Sequence, residues 1–170
     1  MGGATRLYSP MNKDQKALYK ALYKALSAEL MRSIGDAIRA KYGDVEAYAK
    51  ATGRDGGNLR ATLLGEYSPA LDYAMGIAAD GGVAIDIVMR LHTGEEASIL
   101  PNRTDANEIV AQLLRRLVET YSPQQAAAEA CGVAYGYFNK LYNTGKPMIR
   151  LAMLCAFAEA AGAKVVVVQQ

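Results

Sequence analysis

The chain has 170 residues, 51% of them hydrophobic, with 19 Lys and Arg against 17 Asp and Glu and a formal net charge of +2. That length holds one domain of ordinary size or two small ones near the lower limit for an independent core, so two halves sharing a core is the expectation. The net charge is too small to argue for nucleic acid by itself, no uninterrupted apolar tract is long enough to span a membrane, and Cys131 and Cys155 fall at apolar-patterned positions where small buried hydrophobes are expected rather than a disulfide or metal ligands.

Residues 1–10 are small and turn-forming and read as a disordered tail, without the basic start, apolar block and cleavage site of a signal peptide. Asn12 or Asp14 then caps a helix whose Ala-Leu-Tyr-Lys repeat sets Leu18, Leu22, Leu26 and Leu30 on one stripe and Lys16, Lys20 and Lys24 on another. Such a helix has a face to bury, against its own chain or a second copy; alternatively its lysines meet phosphate. A membrane-surface role is disfavoured because its apolar face lacks bulk beyond Leu and Tyr. Residues 1–26 are taken as this tail and helix.

Residues 27–90 follow as helices over 30–42, 45–52, 56–64 and 69–80 and a β-branched strand over 83–88. Residues 91–104, with Gly94, Pro101 and Asn102, have the composition of a linker. Residues 105–170 repeat the order: helices over 107–121, 123–131, 135–143 and 148–161, then a strand over 163–168. The long apolar tract 151–168 is interrupted by Glu159, Gly162 and Lys164 and reads as a helix followed by a strand.

The two halves follow nearly the same pattern about 80 residues apart. Ala49-Lys50-Ala51-Thr52-Gly53 recurs as Ala128-Glu129-Ala130-Cys131-Gly132, and 17 residues separate Gly65 from Gly82 and Gly145 from Gly162. A repeat this long is one structural unit used twice. Charge is distributed unevenly over it: residues 1–43 carry eight Lys and Arg against three acids, 44–100 four against nine, and 101–170 seven against five. Duplex DNA is a dense line of negative charge, so the acidic middle is a poor contact surface and the outer segments are better ones.

The run Gln124-Gln125-Ala126-Ala127-Ala128-Glu129-Ala130-Cys131-Gly132-Val133, followed by Phe138, Leu141, Gly145-Lys146, Leu151, Leu154, Phe157, Ala158 and Gly162, resembles the Xre/Cro-type helix-turn-helix of the lambda-repressor-like fold. The first half is similar through Ala49, Gly53, Leu59, Gly65, Pro69, Leu71, Ala74, Ile77, Ala78 and Gly82. The resemblance implies a mainly α fold of tandem helix-turn-helix units, each followed by a short strand. It also implies a sequence-specific DNA-binding transcriptional regulator, a repressor of phage or mobile-element type, acting on double-stranded DNA as a homodimer; the cytoplasmic location is expected from the composition, with neither signal peptide nor membrane span. The closing strands are similar to those of HigA- and HipB-type antitoxins and Cro-like repressors, which pair across a dimer. Here Ile85 and Ile87 can sit beside Val165 and Val167 within one chain, making it an internal pseudo-dimer, or the strands can pair between chains.

In such a fold the second helix of the motif reads base edges while flanking cations meet phosphate. The second half offers Tyr135, Tyr137, Asn139, Lys140, Asn143 and Lys146 with no acid among them, although Tyr137 can equally pack in the core. The first half offers Arg54, Asn58 and Arg60, but its helix starts Asp55-Gly56-Gly57, with two glycines where base-reading side chains are common in the family and an Asp suited to an N-cap. The alternative reading is a protein-interaction module on the same fold, an antitoxin or other protein-binding inhibitor, with the acidic first half as its working surface. His92 lies outside any nucleophile or metal arrangement, and Gly53-Arg54-Asp55-Gly56-Gly57 lacks the Lys-Ser/Thr of a phosphate loop, so neither catalysis nor a cofactor is expected.

Overall fold

The first helix begins where its leading amides find partners. Asn12 accepts from the Gln15 amide at 2.8 Å, and the Gln15 side chain accepts from the Asn12 amide at 2.9 Å. This reciprocal cap starts α1 (Lys13–Tyr42), which runs unbroken to Gly43. The computed structural model describes residues 12–100, 105–144 and 148–170. The tail 1–10, Pro101, Asn102 and Thr104 of the expected linker, and Gly145 and Lys146 lie outside the described residues.

One 30-residue helix therefore replaces the two expected over residues 12–42. No Gly or Pro with helix-breaking placement separates the lysine-rich half from the core half. Its buried face is also not the leucine stripe: Tyr23, Ser27, Met31, Ile34 and Ile38 are buried, whereas Leu18 is 71% and Leu22 50% exposed. A strict four-residue stripe drifts around a helix of 3.6 residues per turn, and the buried line instead mixes steps of four with a step of three, from Met31 to Ile34.

Then come α2 (Val45–Thr52), α3 (Gly56–Leu63), α4 (Leu71–Asp80) and strand β1 (Val83–Arg90). Asp44 and Asp55 cap α2 and α3 by accepting from the amides of Ala47 and Gly57. The second half runs α5 (Ala106–Thr120), α6 (Gln124–Ala130), α7 (Tyr135–Thr144), α8 (Leu151–Ala160) and a closing strand (Lys164–Gln169), with Gly53 and Gly132 left-handed at equivalent turns, φ 72° and 73°. Gly65 answers to a further constraint: a Cβ there would stand 2.6 Å from that of Ala28, so only glycine lets this loop lie against α1.

Between the halves, the stretch expected as a linker carries the short strand β2 (Glu96–Ser98), and the closing strand is numbered β3. The sheet order is β2-β1-β3, all antiparallel. β2 has no alternating apolar pattern; it is placed by tertiary need. Asp86 of β1 is buried, and its carboxylate accepts from the Ser98 hydroxyl at 2.7 Å and the Ile87 amide at 2.8 Å.

The closing strands pair within the chain, Ile85 opposite Val167 and Ile87 opposite Val165. At the centre of this ladder Asp86 faces Val166, and a separate bridge joins Ala70 to Arg150, each pair 80 positions apart. Around that bridge the Leu71 amide donates to the Ile149 carbonyl and the Leu151 amide to the Pro69 carbonyl, both at 2.9 Å. The halves thus meet at equivalent residues, as subunits of a two-fold dimer do. One hydrophobic cluster extends through both, from Met31 and Tyr48 through Ile87 to Phe138 and Phe157.

Candidate nucleic-acid interface

Phe138 and Leu141 fasten α7 to the core, with the Phe138 ring edge-on to Phe157 at 6.2 Å. Those two positions orient the rest of the helix outward. Ala134, Tyr135, Gly136, Tyr137, Lys140, Tyr142 and Asn143 are exposed, and Tyr137, whose position was open in sequence, is 40% accessible. Partial burial pushes its phenol above the ordinary tyrosine range, so it remains a hydrogen-bond donor at neutral pH.

Asn139 is half-buried and held. Its Oδ1 accepts from Gln124 Nε2 at 2.9 Å and from Asn143 Nδ2 at 2.8 Å. With the oxygen satisfied on the protein side, the Nδ2 hydrogens are the free donors of this carboxamide. Gln124, the first residue of α6, was part of the sequence pattern but not among the candidate contacts; only the fold brings it across 15 positions to fix Asn139. Lys140, one residue on, has no ion pair among the described residues.

Tyr135, Tyr137, Asn139, Lys140 and Asn143 therefore share one helix with no acid in it. Lys146 lies outside the described residues. The three first-half candidates are engaged by their own chain. Arg54 Nη2 is 3.2 Å from Asp80 Oδ2, which also accepts from the Tyr48 hydroxyl at 2.6 Å, and the guanidinium lies over the Tyr73 ring at 5.5 Å. Arg60 is ion-paired with Glu46, and the Asn58 side chain takes the Tyr67 hydroxyl.

Arg54 accordingly reads as a tie between α2, α4 and the turn between α2 and α3. Arg54→Ala is expected to cost about 1 kcal/mol of stability, modest because the pair is one-third solvent-accessible, while leaving DNA affinity unchanged. Urea unfolding alongside a duplex titration checks both halves of that statement; a large affinity loss at unchanged stability would return Arg54 to the interface.

Cys131 and Cys155 are buried and unpaired, and burial pushes each thiol up to about 12, which keeps them protonated at neutral pH. His92 is exposed in the hairpin between β1 and β2. Among the described residues no helix is long and apolar enough to cross a membrane. No family model, curated protein or solved structure matches the chain.

Proposed function

We propose that this protein is a sequence-specific regulator of transcription that binds double-stranded DNA through α7. In this reading α6, the Gly132 turn and α7 form a helix-turn-helix, and α7 lies in the major groove with Asn139 donating to a base edge and Lys140 at phosphate. The observation that carries it is the outward, acid-free face of α7 with Asn139 held by Gln124, since a side chain whose rotamer is already fixed loses less entropy on binding. By the resemblance to Xre/Cro-type proteins, the regulator is a repressor of phage or mobile-element type.

The paired strands and the Ala70 to Arg150 bridge support reading one chain as the equivalent of a dimer, with the single chain rather than a homodimer as the functional unit. Its two motifs are unequal. The first half presents Gly56 and Gly57 where the second presents Tyr135 and Gly136, and its arginines are neutralised by Asp80 and Glu46. One strong half-site per chain follows, in place of the palindrome of equal half-sites, about 34 Å apart, that a symmetric dimer selects.

A second reading rests on the same asymmetry: a protein-interaction module whose acidic first half meets a partner. Selection from random duplex DNA at two salt concentrations, followed by sequencing, separates the two. A recovered motif supports the regulator; salt-sensitive binding without a motif, or none, removes it and leaves the protein-partner reading.

A further inference from the structure

The amino-terminal turns of α1 have no counterpart in the second half, and they are exposed on every side from Lys13 to Leu22. The helix is tied to the body at Tyr23, which packs with Cys155 and Ala156 of α8. Lys16 lies seven residues before Tyr23, and Lys20 seven before Ser27, so both continue the face that is buried further along. In place of a core, that face overlooks a groove of about 1470 Å3 whose far side includes Tyr137 of α7.

The lining of this groove is one-signed. Among the described residues Lys16, Lys20, Lys24 and Arg150 contribute to it, and no Asp or Glu does. Arg150 is committed, its Nη1 donating to the Ser68 carbonyl at 2.6 Å, whereas the three lysines have no ion pair or hydrogen bond among the described residues. They recur once per helical turn, spanning about 12 Å at 1.5 Å per residue. The volume exceeds the range of roughly 300–1,000 Å3 usual for small-molecule pockets, and since the rest of the lining is mainly apolar, with Ala17, Tyr19, Val133, Met148, Ile149 and Met153, it is the row of lysines rather than the groove's interior that suits an extended polyanion.

We propose that Lys16, Lys20 and Lys24 form a phosphate clamp that grips the DNA backbone beside the base edges addressed by α7. This rests on the reading of α7 as the DNA-binding helix. The clamp carries no sequence information; it sets register and affinity, and because only one α1 serves both halves it acts on one side of the site alone. Tyr137, shared between the groove and the outward face of α7, marks where the two contact zones join.

The test is the salt dependence of duplex affinity for the intact chain and for the triple variant Lys16→Ala, Lys20→Ala, Lys24→Ala, on a selected and on a random duplex. Each lost phosphate contact lowers the slope of log affinity against log salt by about 0.9. The variant is expected to lose roughly 2.7 from the slope and about 100-fold in affinity near 0.15 M salt, equally on both duplexes, with the triple Lys→Arg variant binding as the parent does. All three side chains are exposed, so circular dichroism should show an unaltered fold. An unchanged slope in the alanine variant while the parent binds DNA overturns the clamp and leaves the role of α7 standing, as does a loss confined to the selected sequence. Failure of the parent to bind any duplex removes the DNA reading and the clamp together.

Discussion

Replacing Asn139 and Lys140 by alanine is expected to abolish selective DNA binding without unfolding the protein. A well-placed carboxamide discriminates its base pair by about 1–3 kcal/mol, so Asn139→Ala alone should cost roughly 10- to 100-fold on the preferred sequence and little on a random one. Lys140→Ala should weaken both sequences alike and lower the salt slope by about 0.9. The fold should tolerate both changes. Lys140 is exposed, and the Gln124 and Asn143 amides that lose their acceptor in Asn139→Ala lie where water can replace it. Gln124→Ala is the informative companion: it removes a positioning contact and no base contact, so it should reduce affinity less than Asn139→Ala at the same base pair. Equal binding by parent and double variant, measured on selected duplex, would take α7 out of the interface. Arg60→Ala serves as the control in the first half, because its guanidinium is paired with Glu46 and should contribute nothing to the duplex.

The helices of this fold were legible in sequence because their ends are made by local chemistry. Gly53 ends α2 as expected while Asp44 caps its start, Asp55 caps α3 through the Gly57 amide, and Gly82 and Gly162 mark where the last helix of each half gives way to a strand. What sequence left open was decided over long separations. Nothing near Ile85 specifies that it pairs with Val167, 82 positions on, rather than with another chain, and it is β2 that brings Ser98 to the buried Asp86 from 12 positions away. The site divides the same way. That α7 would face outward followed from Phe138 and Leu141; that Arg54 and Arg60 are held by Asp80 and Glu46 did not, since their partners stand 26 and 14 positions away. Lys16, Lys20 and Lys24 were visible as a stripe, but their relation to Tyr137 required the path of α1 over α8.

Ile87→Ala is expected to be among the most damaging single changes to stability, and its effect should reach both halves. Ile87 is fully buried on the central strand, opposite Val165 of β3, and its carbonyl accepts from the Ile99 amide just past β2. Removing its branched side chain deletes core packing and leaves a cavity, about 2–5 kcal/mol for a site of this kind, and for a chain of this length about 2–4 °C of Tm for each kcal/mol. The distribution of the loss carries the architectural information. If each half were an independent domain, damage to β1 would speed amide exchange in α2 to α4 and spare α6 to α8. Because β1 supplies the ladder for β3 and a single cluster joins Ile87 to Phe157, exchange should accelerate in both halves together and denaturant unfolding should remain one transition. Two transitions, with the second half unaffected, would mean that the strand pair merely tethers two autonomous units. A shared transition has a structural corollary: α7 packs on α5 and α6, whose buried residues share one cluster with β1, so the first half contributes to the body that α7 rests on.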